Sequence, residues 1–170
     1  MRFPALVVAA CLFLAACGNQ AQAPATRPTP TPTPDIKALA QTYLRIADRY
    51  NQAYDALTPR FKRDYGQDLA AYKKDVAEAV QAEEAFINDL RAMQVPASMQ
   101  QDFRALLAAV SAEDSIATNE SQATDWPGIA YYENQASNQQ NVTAGAVDNM
   151  RLDLGLPRAP KIGLSPTPSA

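Results

Sequence analysis

Glu83 is the residue of this sequence whose position is hardest to explain, because it stands where a buried leucine would be expected. The apolar residues around it, among them Ala79 and Phe86, recur at steps of three and four, the spacing of one helix face. A carboxylate buried there without a partner is costly or takes up a proton. Counting along antiparallel helices places Glu83 level with Tyr43 and Gln139, so we expect these three to form a polar layer. Such a layer would fix the helix register or line a small-ligand cavity, and the alternative is that Glu83 lies exposed on a slightly rotated helix.

A second set of side chains with binding chemistry lies between Thr58 and Gly66. It combines cations with aromatic rings: Arg60, Phe61, Lys62, Arg63 and Tyr65. Such a mixture could hold a phosphate, an anionic glycan or a carboxylate of a partner. The internal alternative, which we favour, is that the cations neutralise acidic residues expected at the same end of the fold, Glu120 and Asp125.

Catalysis is not expected from the residue types present. The chain contains no histidine, the usual acid and base near neutral pH, and it lacks phosphate loops and nucleophile motifs. A di-iron site of the kind found in helical bundles needs histidine, so neither a metal nor another cofactor is predicted. A hydrolase that uses Glu83 and Glu113 as a carboxylate pair is a distant alternative. The net charge of −3 argues against nucleic acid as a partner.

Four helical segments would have to position these side chains. The apolar seam of the first is Ile36, Leu39, Tyr43, Ile46, Tyr50, Ala53 and Leu57, and the second seam is Leu69, Tyr72, Val76, Ala79, Glu83, Phe86, Leu90 and Met93. Asp35 is the expected N-cap of the first helix. Short connections near 58–66, 94–98 and 122–127 favour antiparallel neighbours. The sequence therefore predicts an all-α fold, an antiparallel up-down-up-down four-helix bundle with a disordered N-terminal stalk and C-terminal tail.

The N-terminus carries a targeting pattern. Arg2 precedes an apolar run that ends in Leu14-Ala15-Ala16-Cys17. This pattern resembles the lipobox of bacterial lipoproteins. The resemblance implies that residues 1–16 are removed, that Cys17 is acylated, palmitate included, and that the bilayer is a partner through this lipid. It also implies a bacterial cell membrane protein anchored on the extracytoplasmic face. Gly18 stands where an aspartate would signal retention in the inner membrane, so sorting to the outer membrane stays open if the host is Gram-negative.

The chain divides further by composition. Residues 17–34, rich in proline and threonine, are expected to be a semi-rigid stalk, residues 35–154 the helical bundle domain, and residues 155–170 a disordered tail. These features predict a non-catalytic binding or scaffolding module of the cell envelope, whose partner is an unknown envelope protein, glycan or small ligand. The alternative is a small-ligand carrier or sensor with a polar cavity around Glu83.

Overall fold

The described part of the protein is built from helices. The computed structural model describes residues 35–159, so the predicted signal peptide, the stalk and residues 160–170 lie outside the described residues. The elements are α1 (Ile36–Asp64), α2 (Leu69–Arg91), a short 3₁₀ turn (Ala97–Met99), α3 (Gln100–Ser121) and α4 (Trp126–Asp153). Residues 35–159 contain no strand, and the predicted all-α class is confirmed for them. None of these helices is long and apolar enough to cross a bilayer.

Aspartate side chains start three of the helices. Asp35 accepts a hydrogen bond from the main-chain N–H of Lys37 at 3.0 Å, which confirms its predicted role as the cap of α1. Asp68 and Asp125 cap α2 and α4 in the same way, each accepting from the N–H three residues further on. A carboxylate in this position satisfies N–H groups that have no partner within the helix. The α3 helix instead grows directly out of the 3₁₀ turn.

The α1 helix is longer than predicted. The predicted connection began at residue 58, but α1 continues through Pro59 to Asp64, although proline normally disrupts a helix interior. Pro59 and Asp55, four residues earlier, are both exposed, so water can reach the carbonyl that loses its N–H donor. The turn to α2 spans only residues 65–68, and the positive φ of Gly66 (71°) permits it. The predicted connection at 58–66 is therefore wrong, and the register between α1 and α2 shifts with it.

The core is formed by the predicted helix faces. Every position of the second seam from Tyr72 to Met93 is buried, including Glu83, and Leu69 is half-buried. The first seam is right except at its start and at Ala53, since Ile36 and Ala53 are exposed. Leu90, Leu106, Ile129 and Met150 have no exposed surface. Burying each such side chain contributes about 1.5–3 kcal/mol, which is the main source of stability in residues 35–159, where the sequence has no cysteine.

One side of the helix array is closed less tightly than the others. The backbones of α1 and α2, of α2 and α3, and of α3 and α4 pack closely, whereas α1 and α4 approach each other at isolated points at most. Residues 51–56 of α1 are all exposed, and residues 130–145 of α4 include none that is buried. We call this the open side, defined by residues 50–56 of α1 and 130–145 of α4.

The chain folds back on itself after α4. Gly155, with φ of 69°, ends the helix, and Leu156 N–H donates to the Arg151 carbonyl at 2.8 Å in a Schellman arrangement. Further along, the N–H of Ala159 donates to the Asp148 carboxylate at 2.9 Å. The prediction of disorder is therefore wrong for residues 155–159, because Leu156 packs on the core and the backbone finds hydrogen-bond partners on α4.

Candidate functional site

Glu83 lies inside the helix array, on α2. Only 6% of its surface is exposed, so the predicted alternative in which it faces solvent does not hold. Within residues 35–159 no side-chain hydrogen bond or salt bridge is found for its carboxylate, but its oxygens are not among the fully enclosed polar atoms that lack a partner, which belong to Asp75, Asp114 and Thr143. Burial, and after it the charges of Glu113 and Asp114, raise the pKa of Glu83 to about 8. The side chain is therefore protonated at neutral pH and becomes charged in the mildly alkaline range.

The predicted layer of Tyr43, Glu83 and Gln139 does not form. Tyr43 is 1% exposed, and burial raises its pKa to about 12. It packs in the larger of two hydrophobic clusters, which joins the four helices through residues that include Ile46, Leu90, Leu106 and Met150. Gln139 donates through its side-chain nitrogen to the Ala109 carbonyl at 3.1 Å. Because α1 extends to Asp64, the residue of α1 level with Glu83 is Tyr50, two turns beyond Tyr43.

Two tyrosines of α1 are close enough to Glu83 for its charge to raise their pKa values. Tyr50 stacks on Phe86 with ring centroids 4.8 Å apart, and its pKa is raised well above the usual value, first by burial and then by the charge of Glu83. Tyr54 follows one turn later and keeps 41% of its surface exposed. Burial and then Glu83 raise the pKa of Tyr54 to about 12. Tyr54 thus combines a desolvated hydroxyl group with a residue surface that is partly exposed.

Carboxylates from the three other helices surround Tyr54. Besides Glu83 of α2, the charges of Glu113 and Glu120 of α3 and of Glu133 of α4 all raise its pKa. The sequence from residue 105 to residue 150 contains no lysine or arginine that could balance them. We call Tyr50, Tyr54, Glu83, Glu113 and Glu133 the acid–tyrosine cluster.

The neighbouring acid pair is satisfied by hydrogen bonds, unlike Glu83. Glu120 is 7% exposed and accepts from the Tyr72 hydroxyl at 2.8 Å, while Glu133 accepts from the Tyr65 hydroxyl at 2.9 Å. Burial raises the pKa of Glu120 to about 7, and the Tyr72 hydrogen bond works in the opposite direction. The sequence placed Tyr72 in an apolar seam, and no local pattern could show that its hydroxyl would bridge α2 to α3.

Two of the three cations of the basic segment, Arg60 and Arg63, are paired with acids of α1 and α2. Arg60 forms ion pairs with Asp75, which is 2% exposed, and with Glu78 of α2. Arg63 pairs with the adjacent Asp64 at 2.6 Å. The idea that internal acids hold these cations is supported, but the acids expected for that role are wrong. Glu120 and Asp125 are engaged elsewhere, because Arg60 and Arg63 lie on the last turns of a helix facing α2 rather than in a loop.

The remaining members of the basic segment differ in exposure. Lys62 is exposed, whereas Phe61 and Tyr65 are half-buried against the smaller hydrophobic cluster. The buried members of this cluster are Tyr72, Val76, Ala123 and Ile129. The Tyr65 ring lies 5.5 Å from that of Tyr72 and 5.4 Å from that of Trp126, both at steep angles. These aromatic residues therefore pack the end of the array where α1 meets α2.

Two depressions on the surface lie away from the acid–tyrosine cluster. One of about 240 Å³ lies between α1 and α2 beside Arg49 and Asp89, and one of about 390 Å³ lies between α2 and α3 beside Arg91 and Asp114. Neither is lined by Glu83. Within residues 35–159 no three carboxylates converge closely enough to hold a metal ion.

No family model, curated protein or solved structure matches this chain.

The chemistry of the acid–tyrosine cluster follows from its own geometry. A protonated Glu83 can donate a hydrogen bond, and an ionised Glu83 can hold a cation. Tyr54 offers a ring face whose negative quadrupole also attracts cations. The two tyrosines, whose pKa values are raised by burial, keep their protons at neutral pH.

Proposed function

We propose that this protein is a lipid-anchored, extracytoplasmic module of the bacterial cell envelope that acts by binding rather than by catalysis. Its helices form an antiparallel up-down-up-down bundle, and its binding face is the open side between α1 and α4. The bundle is held to the membrane through acylated Cys17, and residues 17–34 act as the spacer.

The antiparallel arrangement is supported by contacts between helix ends. Tyr72, in the first turn of α2, donates to Glu120 in the last turn of α3 and to Glu133 near the start of α4. At the opposite end, the larger hydrophobic cluster joins Ala40 near the start of α1 to Leu90 at the end of α2. Short turns between consecutive packed helices agree with this arrangement.

The observation that carries the proposal is the open side itself. A four-helix bundle that served only as a spacer would be expected to close its first helix against its last. Here the exposed stretch of α1 places the Tyr54 ring at the surface beside four carboxylates. The facing stretch of α4 is mostly amide and small side chains without a charge from residue 134 to residue 147. A partner can therefore reach polar groups that the bundle leaves accessible.

The buried, unpartnered carboxylate of Glu83 favours a second candidate function, a small-ligand carrier or sensor. In that function the ligand would supply the missing partner of Glu83. The two functions share the same face of the molecule and differ in how deeply the bound group enters it.

The anchor is tested with a clickable palmitate analogue fed to bacteria that make the full chain. We expect the chain to be labelled and to fractionate with membranes, and Cys17→Ser to lose both properties. Cys11→Ser is the matched control, because Cys11 lies within the segment expected to be removed. Membrane association and labelling that survive Cys17→Ser would refute the anchor.

The binding face is tested with a photo-crosslinking amino acid placed at position 54 in cells of the native host. A discrete adduct is expected from this position. Lys74, an exposed residue of α2, is the control position. Equal adducts from both positions, or none from position 54, would contradict a binding face between α1 and α4.

A further inference from the structure

The larger of the two surface depressions lies between α2 and α3, a different pair of helices from the proposed binding face. Its volume is about 390 Å³, within the range of about 300–1,000 Å³ that is typical of small-molecule sites. Polar side chains of both helices line it together with the buried Ile87: Glu84, Asn88, Arg91, Ser111, Asp114 and Ser115. The depression thus brings carboxylates, a guanidinium, an amide and hydroxyl groups to one place.

Asp114 contributes a carboxylate that is not satisfied by the protein. Its Oδ1 atom is enclosed and has no hydrogen-bond partner within residues 35–159. The adjacent hydroxyl of Ser115 does not serve it, because that hydroxyl donates to the Ser111 carbonyl at 2.8 Å. Since buried carboxylate oxygens normally accept a hydrogen bond, Asp114 lacks a donor that the described part of the chain does not supply.

Arg91 brings the opposite charge to the same depression without pairing with Asp114. The salt bridges found within residues 35–159 include neither of these two side chains. Burial and then the charge of Glu84 raise the pKa of Asp114, whereas the charge of Arg91 lowers it. The guanidinium is therefore near the carboxylate but not in contact with it.

The smaller depression, between α1 and α2, shows what such a contact would look like. Arg49 and Asp89 both line it, and they are joined by a salt bridge of 2.8 Å. Between α2 and α3 the positive and the negative group stay apart, so each of them is available to a ligand.

We infer that the depression between α2 and α3 binds a small zwitterion, either a free amino acid or a short peptide, with its ammonium group on Asp114 and its carboxylate on Arg91. The ammonium group supplies the donors that Asp114 lacks, and the guanidinium presents paired N–H donors that match a carboxylate. A simple cation would meet repulsion from Arg91, and a simple anion would meet repulsion from Asp114. The inference goes beyond the proposed function and does not depend on it.

The length of the depression admits a ligand larger than one amino acid. Glu84 and Arg91, which both line it, are seven residues apart on α2 and therefore about 10.5 Å apart along the helix axis. An extended dipeptide spans at most about 7 Å. Both an amino acid and a dipeptide consequently have to be tested as probes.

The test is a nitrogen-15 NMR titration of the full chain in detergent with two zwitterions, alanine and dialanine. We expect saturable shifts of the backbone amide signals of residues 84–91 and 111–115, the segments that line the depression. Two further probes each lack one charge, since N-acetyl-dialanine has no ammonium group and dialanine amide has no carboxylate. Each should bind about tenfold or more weakly than dialanine, the equivalent of one charge-assisted hydrogen bond.

Two variants assign the charges to their residues. Asp114→Asn and Arg91→Gln should each weaken binding of dialanine by about tenfold or more. Asp48→Asn and Arg104→Gln, the same changes at exposed residues of α1 and α3, should leave affinity within about twofold. In Arg91→Gln the preference for dialanine over dialanine amide should disappear, which a merely structural role of Arg91 would not produce. The amide spectrum of each variant separates loss of binding from loss of folding.

The outcomes separate the ligand source from the inference itself. Tighter binding of dialanine assigns the site to short peptides, and tighter binding of alanine assigns it to free amino acids. The inference is overturned if neither zwitterion gives saturable shifts in the two segments, or if the probes that lack a charge bind as tightly as dialanine. Wild-type affinity in Asp114→Asn also overturns it. None of these results alters the crosslinking expected from position 54, so the proposed binding face stands or falls separately.

Discussion

Replacing Glu83 by glutamine removes the charge that burial penalises and keeps the shape of the side chain. The pKa of Glu83 is about 8 in the folded protein and 4.5 for the ordinary group. Below pH 4.5 Glu83 is protonated in both the folded and the unfolded chain, so it does not lower the free energy of unfolding. Between these two values the unfolded chain has released a proton that the folded chain retains, so stability falls as pH rises. Above the folded pKa the loss is complete.

The size of the effect follows from the width of this window. One pKa unit corresponds to about 1.4 kcal/mol, so Glu83 should cost the protein about 4 kcal/mol between about pH 5 and about pH 8. Glu83→Gln does not titrate, so the variant should gain about this much on the wild type over the same interval.

The assay is urea unfolding at several pH values. Unfolding is monitored by the fluorescence of Trp126, which is the single tryptophan of the chain. Its ring lies against Tyr65 and Tyr72 and reports the packing of the smaller hydrophobic cluster. Glu84→Gln is the matched control and should reproduce the wild-type pH dependence. Parallel curves for wild type and Glu83→Gln would refute the conclusion that Glu83 is buried without a partner.

Three further predictions concern structural contacts. Tyr72→Phe should destabilise the fold by about 1–3 kcal/mol in urea unfolding, because Glu120 loses its donor inside the array. Arg60→Gln should clearly lower the urea midpoint, since it leaves a buried carboxylate unpaired, whereas Lys62→Gln should not change it. Gly155→Ala should cost about 1 kcal/mol, measured as a lower thermal midpoint, because φ at this position is 69°.

Helical periodicity was sufficient to predict much of the core. Along α2 the steps of three and four identify the buried face from Tyr72 to Met93, because a helix that packs against two neighbours must bury one continuous stripe. The same reasoning placed Glu83 inside. Sequence spacing within one helix is local, so it is reliable for the face that a helix buries.

Contacts between helices could not be predicted as well, because they depend on where each helix ends. The connection after α1 was predicted to begin near residue 58, whereas α1 continues through Pro59 to Asp64, and this moved the expected neighbour of Glu83 from Tyr50 to Tyr43. The exposed side of the helix tolerates the proline, a fact that only the tertiary arrangement provides. The Tyr72–Glu120 hydrogen bond joins residues far apart in sequence, and nothing in either local pattern indicates it.

The measurement that most directly tests this account is a carbon-13 NMR titration of the Glu83 side-chain carboxyl. The account predicts a pKa of about 8, because burial inside the helix array disfavours the ionised form. A pKa near the ordinary value of 4.5 would contradict it.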